Sequence, residues 1–297
     1  MEQQNLAWQS KLILGVVVAP IAVSVAWQAR FWLADTPQTA LWCLGLSALL
    51  GVLAWKSRSA TPAAAATGAL LTASLMFSTL IYPYHPWKTA IVPVLTVLVM
   101  TSLATRFGRK RKERLGTAEE KHGRAATQVC ANLGFAALVC SPAAEWMLTS
   151  GNVGSPANGT MNALLSFPAY AALAEAAADT VSSEIGQVLG GTPWMITTLR
   201  RVAPGTDGAI SAAGTLAGIL AAGVIAIVST LTLGGNWITA SVIASGGIFG
   251  LLFDSLLGAT LERNGWLNND AVNFLSTASA AIFALIVVIL SLHSNPL

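Results

Sequence analysis

Residues 174–215 read AEAAADTVSSEIGQVLGGTPWMITTLRRVAPGTDGAISAAGT and join an apolar segment to a loop rich in glycine and threonine. Three acids, Glu175, Asp179 and Glu184, stand inside the apolar part. Carboxylates at membrane depth are costly to desolvate, so they usually face a bundle interior or a watery cavity and mark a functional site. We therefore expect a site where this segment meets one membrane face.

The composition indicates a membrane protein. Of 297 residues, 54% are hydrophobic and 10% charged, whereas soluble domains carry about 25% charged residues. Several apolar runs reach the roughly 20 residues that cross a bilayer as a helix. The fold class expected is an all-α, polytopic transmembrane helical bundle. The basic residues are concentrated in one loop, so the net charge of +3 gives no indication of a nucleic-acid partner.

The hydropathy pattern predicts about nine spans. Their approximate bounds are 11–29, 39–55, 63–82, 89–106, 125–148, 162–190, 214–233, 237–261 and 271–292. With a cytoplasmic N-terminus, 14 of the 16 Lys and Arg residues fall on the inner side, as the positive-inside rule prefers. A multi-pass protein of this orientation has its 191–213 loop in the cytoplasm.

Two parts are expected. Residues 1–105 hold four spans with few polar residues and no legible role. Residues 106–297 hold five spans and nearly every suggestive polar residue, with cytoplasmic loops at 106–124, 191–213 and 262–270. We therefore assign a catalytic membrane domain to the second part.

The fifth span begins with polar residues at helical spacing. Arg124, Gln128 and Asn132 recur every four residues, which places them on one helix face among apolar neighbours. Such a stripe favours the lining of a cavity, and simple hydrogen bonding between helices is the alternative.

Carboxylates on separate spans converge on the inner leaflet. Glu175, Asp179 and Ser182 share one face of the sixth span, whereas Glu184 points elsewhere. Asp254 lies on a glycine-bearing face of the eighth span, near its cytoplasmic end. Two acids one turn apart repel strongly at low dielectric, and a divalent cation lets both stay ionised. The alternative is one protonated and one hydrogen-bonded acid that serve only structure.

The loop after the sixth span has the residues of an anion site. Its Gly, Thr and Ser supply backbone N–H groups and hydroxyls, and Ser211 precedes the start of the seventh span. Arg200 and Arg201 are candidate phosphate clamps, with an ordinary solvated loop as the alternative. Carboxylates, N–H donors and arginines together are typical of Mg²⁺-assisted phosphoryl transfer. The sequence contains no Walker loop.

The order of motifs resembles that of a known integral membrane family. The motifs, between residues 106 and 297, are GRAATQVCANLG (123–134), ALAEAAADTVSSEIG (172–186), ITT (196–198), PGTDGAISAAGT (204–215), DSLLGATLE (254–262) and NND..N (268–273). The family includes the plant phytyl-phosphate kinase of vitamin E (tocopherol) biosynthesis and is distantly similar to dolichol kinase and phosphatidate cytidylyltransferase. The resemblance implies transfer of a phosphoryl group from a nucleoside triphosphate, with CTP favoured, to a prenyl or phytyl monophosphate, giving the diphosphate.

Carried over by position, the resemblance implies site residues and partners. Glu175, Asp179 and Asp254 would hold Mg²⁺, and these three with Asp207 form the candidate catalytic set. The candidate substrate and phosphate-binding residues are Arg124, Gln128, Asn132, Ser182, Ser183, Glu184, Thr197, Thr198, Arg200, Gly205, Thr206, Gly208, Ser211, Thr215, Ser255, Asn269 and Asn273. The partners would be the nucleotide, a prenyl monophosphate arriving from the bilayer, and membrane lipids; a homodimer stays open.

Three other functions are alternatives. A lipid-phosphate cytidylyltransferase would release pyrophosphate instead of a nucleoside diphosphate. A transporter or lipid carrier with an acidic intramembrane site would bind its cargo without consuming nucleotide. A purely structural membrane protein would tolerate neutral substitution of Asp179 and Asp254.

Overall fold

The computed structural model describes residues 6–117, 123–148 and 159–294, without the side chains of 159–163 and 292–294. Part of the predicted 106–124 loop, residues 118–122, therefore lies outside the described residues. Within them the chain is almost entirely helical, which confirms the all-α class. The helices are α1 (Ala7–Asp35), α2 (Pro37–Lys56), α3 (Pro62–Ser78), α4 (Ile91–Arg106), α5 (Arg109–Leu115), α6 (Ala126–Val139), α7 (Pro142–Leu148), α8 (Gly159–Leu189), α9 (Ala212–Leu233), α10 (Trp237–Leu257) and α11 (Asn269–Ser294).

Helix ends follow local sequence signals. The Thr61 hydroxyl accepts from the Ala64 N–H, and Pro62 takes the first helical position of α3. Asn236 caps α10 by accepting from the N–H groups of Ile238 and Thr239. Gly234 ends α9 in the left-handed region, at φ +68°, where glycine has no steric penalty.

Five described helices, α1, α2, α9, α10 and α11, are long and apolar enough to span a bilayer. Two bent pairs, α4 with α5 and α6 with α7, raise the number to seven if each pair is one span. The shorter apolar α3 and the acid-bearing α8 occupy the remaining two predicted spans. The multi-pass membrane class is thereby supported, while the number nine and the cytoplasmic N-terminus stay predictions.

Successive long helices run between the same two ends of the bundle. At one end Thr61 donates to the Arg124 carbonyl, and Asn268 donates to the Leu6 carbonyl. At the other end, the Trp32 and Tyr84 rings are 5.0 Å apart. We call the first of these the site end, because the polar cavities described below open there.

Helix α8 lies at the centre of the bundle. It packs against α4, α6, α9, α10 and α11, and its alanine-rich segment 169–178 is almost wholly buried. Glycines on α10 allow the closest approach, since a Cβ on Gly247 would lie 2.7 Å from the Ala174 Cβ. The N-terminal helices join the same bundle, because α1 and α3 pack against α6 and α4 packs against α8.

The loops contain structure that the sequence did not predict. Strands β1 (Trp194–Met195) and β2 (Ala209–Ile210) pair antiparallel in the 191–213 loop. The end of α10 continues as a π-helix at Gly258–Glu262, a type of turn often found at functional sites. The basic 106–124 loop contains α5.

Candidate functional site

Asp179 of α8 and Asp254 of α10 face each other at the site end. Their carboxyl groups interact electrostatically, and both side chains line an inner cavity of about 290 Å³. Asp254 Oδ1 and Gln187 Oε1 line this cavity as buried atoms, with no hydrogen-bond partner among the described residues. Buried acceptors normally have partners, so these two atoms mark where a ligand is expected.

Glu175 lies one helical turn deeper than Asp179. Its side chain is 1% exposed and is not among the described residues that line the inner cavity. The physical cause is the glycine face of α10, since a Cβ on Gly250 would be 2.5 Å from Glu175 Cγ. Glu175 interacts electrostatically with Asp179 and Asp254. The structure therefore brings the three predicted metal ligands together but seals one of them behind the other two.

The loop from Pro204 to Ser211 closes the inner cavity against the π-helix. Gly208 has φ +72°, and a Cβ there would collide with the backbone of Ala259. This close approach needs glycine. Thr206, Asp207 and Ser211 all line the cavity from this loop.

Most of the other predicted residues near these elements also line the inner cavity. They are Ser182, Ser183, Gly205, Gly208, Ser255, Asn269 and Asn273. The Ser211 hydroxyl itself accepts from the Gly214 N–H at 3.1 Å and caps α9.

Four predicted residues lie elsewhere. Thr197, Thr198 and Arg200 are exposed on the turn after β1 and do not line the inner cavity, because the β1–β2 pairing carries this turn away from it. Thr215 lies one turn inside α9 and is likewise not in the lining. The second clamp candidate, Arg201, has its guanidinium 5.1 Å from the Trp194 ring centroid, a cation–π contact on the hairpin.

Arg263, not predicted as a site residue, is the arginine that faces the loop. Burial raises the pKa of Asp207, and the positive charge of Arg263 lowers it in partial compensation. Both residues line an outer cavity of about 880 Å³ that also includes Glu262 and Asn269. Asp207, Glu262 and Asn269 line the inner cavity as well, so the two cavities are neighbours.

The polar stripe of the fifth predicted span lines a third cavity of about 140 Å³. Arg124, Gln128 and Asn132 meet Asp179 and Glu184 there. Helix α6 begins at Ala126, so the prediction that Arg124 lies on this helix is wrong. The Gln128 side chain accepts from the Ala125 N–H at 2.8 Å. It thereby caps the helix start and leaves Arg124 on the preceding extended segment.

Glu184 is already paired. Lys112 of α5 is 1% exposed, and its ammonium group lies 2.5 Å from the Glu184 carboxylate. The same ammonium donates to the carbonyls of Ala104 and Thr105 at the end of α4. Glu184 thus holds the basic helix against the bundle, and its carboxylate contributes to the cavity wall as half of an ion pair.

The acids of this site fit Mg²⁺ as a pair of ligands and not as a complete set of protein ligands. Among the described residues, no three His, Cys, Asp or Glu side chains form a group that could hold a metal ion. Mg²⁺ usually takes one or two carboxylates and completes its shell with water and substrate phosphates. Asp179 and Asp254, with the unpartnered Oδ1 of the latter, satisfy that smaller requirement.

Sequence reasoning missed Gln187, Arg263 and Lys112 as site residues, and it quoted Asn268 only as part of the NND..N motif. Gln187 directly follows Gly186, the last residue of the quoted 172–186 motif, so the motif stops one residue short of it. Asn268 donates to Leu6 and Ser10 of the first helix, a contact across the whole chain that local patterns do not show. Arg263 and Lys112 were counted only for orientation, where charge alone matters.

Comparison with known proteins assigns the chain to a family. The family described as "Integral membrane protein DUF92" matches residues 45–281. An uncharacterized membrane protein of Methanocaldococcus jannaschii is 44% identical over 115 residues, which are 39% of this chain and 48% of that protein. An uncharacterized membrane protein of Synechocystis sp. is 31% identical over 204 residues, 67% of this chain and 73% of that protein.

A plant relative is also similar. The chloroplastic protein VTE6 of Arabidopsis thaliana is 32% identical over 196 residues, 65% of this chain and 56% of that protein. The chain thus spans about half the length of the Methanocaldococcus and Arabidopsis proteins. No solved structure matches it. The family match covers most of the chain, and it confirms the membrane family that the motifs indicated: the chain belongs to the family of integral membrane proteins described as DUF92.

Proposed function

We propose that the protein is a prenyl- or phytyl-phosphate kinase that transfers the γ-phosphoryl group of a nucleoside triphosphate, with CTP favoured, to a lipid monophosphate. The observation that carries the proposal is the facing pair Asp179 and Asp254 in a cavity closed by the 204–211 loop. The motif resemblance and the similarity to VTE6 support the same reaction class.

The chemistry follows from the donor set. An oxygen of the lipid phosphate attacks the γ-phosphorus, the bond from that phosphorus to the β,γ-bridging oxygen breaks, and the nucleoside diphosphate leaves with the electron pair. The lipid phosphate is largely dianionic at neutral pH, since its second pKa is near 6. It therefore needs no general base, in keeping with a cavity lined by carboxylates, amides and hydroxyls.

The site residues would have two kinds of role, the positioning of the substrates and the neutralisation of charge. Asp179 and Asp254 would hold Mg²⁺, which when bound supplies charge neutralisation for the phosphates. The 204–211 loop would bind the phosphate chain, and the larger outer cavity has room for the nucleoside. Arg124 lines the third cavity beside Asp179 and would orient the acceptor phosphate.

The test is a product assay. Purified protein in lipid nanodiscs receives Mg²⁺, γ-labelled CTP or ATP, and C10 to C20 prenyl monophosphates. We expect labelled prenyl diphosphate and nucleoside diphosphate. Pyrophosphate release would instead identify the cytidylyltransferase, and binding without nucleotide consumption would favour a transporter. If no donor yields a diphosphate, the proposal fails.

Two matched variants test whether the activity depends on the inner cavity. Asp254→Asn removes one charge from the facing pair and should lower turnover by about 100-fold or more. Asp35→Asn removes an exposed carboxylate at the opposite end of α1 and should leave turnover unchanged. Equal activity of both variants would place the chemistry elsewhere.

A further inference from the structure

An apolar groove lies between α2, α3, α4 and α6. Its volume is about 90 Å³. Its walls are small and branched aliphatic side chains, with Gly51, Ala54, Ala64 and Gly68 on one side and Leu98 on another. Three of the four helices belong to the N-terminal part of the chain, to which the sequence assigned no role.

The groove is mostly apolar, and Arg124 is the one charged residue among the described residues that line it. Arg124 and Asn132 line it, and the same two residues line the third cavity together with Asp179. The Arg124 guanidinium also lies 3.5 Å from the Thr180 hydroxyl. A molecule whose phosphate contacts Arg124 and whose first carbons enter the groove would suit the linings of both spaces.

The N-terminal helices fix the position of Arg124. Its N–H donates to the Ser59 carbonyl, and its carbonyl accepts from the Thr61 N–H, both at 3.0 Å. The preceding Gly123 has φ +77°, and a Cβ there would lie 2.7 Å from the Ala60 nitrogen. The loop between α2 and α3 thus holds the arginine that marks the junction of the groove and the third cavity.

We propose that this groove binds the first carbons of the hydrocarbon tail of the lipid phosphate whose head lies at Arg124. The inference rests on the proposed function for the identity of the head, and it gives α2, α3 and α4 a role in substrate binding. Lipid tails are as apolar as the groove, so transfer from the bilayer supplies little driving force. The groove contributes shape, and its effect belongs in the KM for the lipid phosphate.

The chain offers a substitution that fills the groove. A Cβ on Gly68 would have Val129 Cγ1, at 3.8 Å, as its nearest neighbour, so the first carbon of a larger side chain fits. Gly68→Leu should raise the KM for C5 and C20 prenyl monophosphates alike at least 10-fold and leave the nucleotide KM unchanged. Gly45→Leu is the control, because Gly45 is exposed on α2 with nothing within 4 Å of its Cβ position.

A binding measurement separates the groove from the reaction. A prenyl monophosphate with a photoreactive diazirine on the first carbons of its tail is crosslinked in nanodiscs without nucleotide, and the labelled peptides are identified. We expect labelling in α2 and α3 that Gly68→Leu abolishes, that Gly45→Leu retains, and that unlabelled prenyl monophosphate displaces better than prenol does.

The outcomes are distinct. Labelling of α2 and α3 without any diphosphate product would support the groove and refute the kinase. Labelling elsewhere, displacement by prenol equal to that by the monophosphate, or an unchanged C20 KM in Gly68→Leu would overturn the groove even if the kinase is active.

Discussion

Arg200 and Arg263 show what a sequence motif leaves undetermined about a single side chain. Arg200 follows a threonine-rich motif and was the predicted clamp, yet it is exposed on the hairpin turn. Arg263 faces Asp207, and its guanidinium lies 3.6 Å from the Met195 sulfur. The difference comes from the β1–β2 pairing, which no helical periodicity predicts.

The two arginines make a matched pair. Arg263→Gln removes the charge that lowers the Asp207 pKa, so that pKa should rise further. If turnover needs ionised Asp207, the acid limb of the pH–rate profile moves to higher pH. Loss of the Arg263 guanidinium as a phosphate donor should raise the KM for nucleotide about 10-fold. Arg200→Gln should change neither quantity. Identical profiles for the two variants would remove Arg263 from the site.

At the same scale, the carboxylates were the most predictable residues. Asp179 and Asp254 were found because a charge on an apolar helix is rare and costly, and the structure places both in one cavity. Glu175 shares their signal, but its burial depends on how closely α10 approaches α8. That approach is a property of two helices and not of one sequence window.

Among the elements, α5 is the one whose role the sequence concealed. Its Arg- and Lys-rich sequence predicts a cytoplasmic loop that sets the orientation of the protein. Lys112 is nevertheless buried against Glu184 and the end of α4. In a buried ion pair, removal of one charged partner destabilises the protein far more than replacement of both partners by apolar residues.

That asymmetry gives a stability prediction. Lys112→Met leaves the Glu184 charge buried and alone, and should cost about 3–5 kcal/mol of unfolding free energy. The double variant Lys112→Met with Glu184→Met should lose less than the single one. Thermal unfolding of the four proteins in one detergent measures the coupling. Additive losses would mean that the pair is not energetically linked.

For the whole molecule, the sequence predicted the fold class correctly, whereas the number of membrane spans stays a prediction. Apolar runs located a helix for each predicted span, because the bilayer fixes how long a helix must be. The hairpin, the π-helix and the groove depend on contacts between distant segments, so no run of residues contained them. The orientation rests on charge counting alone.

Orientation can be measured directly. Asn264→Cys lies at the site end, and Trp237→Cys begins α10 at the opposite end. The native cysteines are buried and should not react. A membrane-impermeant thiol reagent should label Trp237→Cys in intact cells and Asn264→Cys only in inverted vesicles. Labelling of both variants from one side would contradict the topology.

The contact between Asn268 and the first helix has a practical consequence. Asn268 donates to the Leu6 carbonyl, and Leu6, Ala7 and Ser10 form part of the outer cavity wall. A purification tag placed ahead of Leu6 would be joined to a residue at the rim of the space offered to the nucleoside. Fusions for biochemistry should therefore be appended after α11, where they leave that entrance unobstructed.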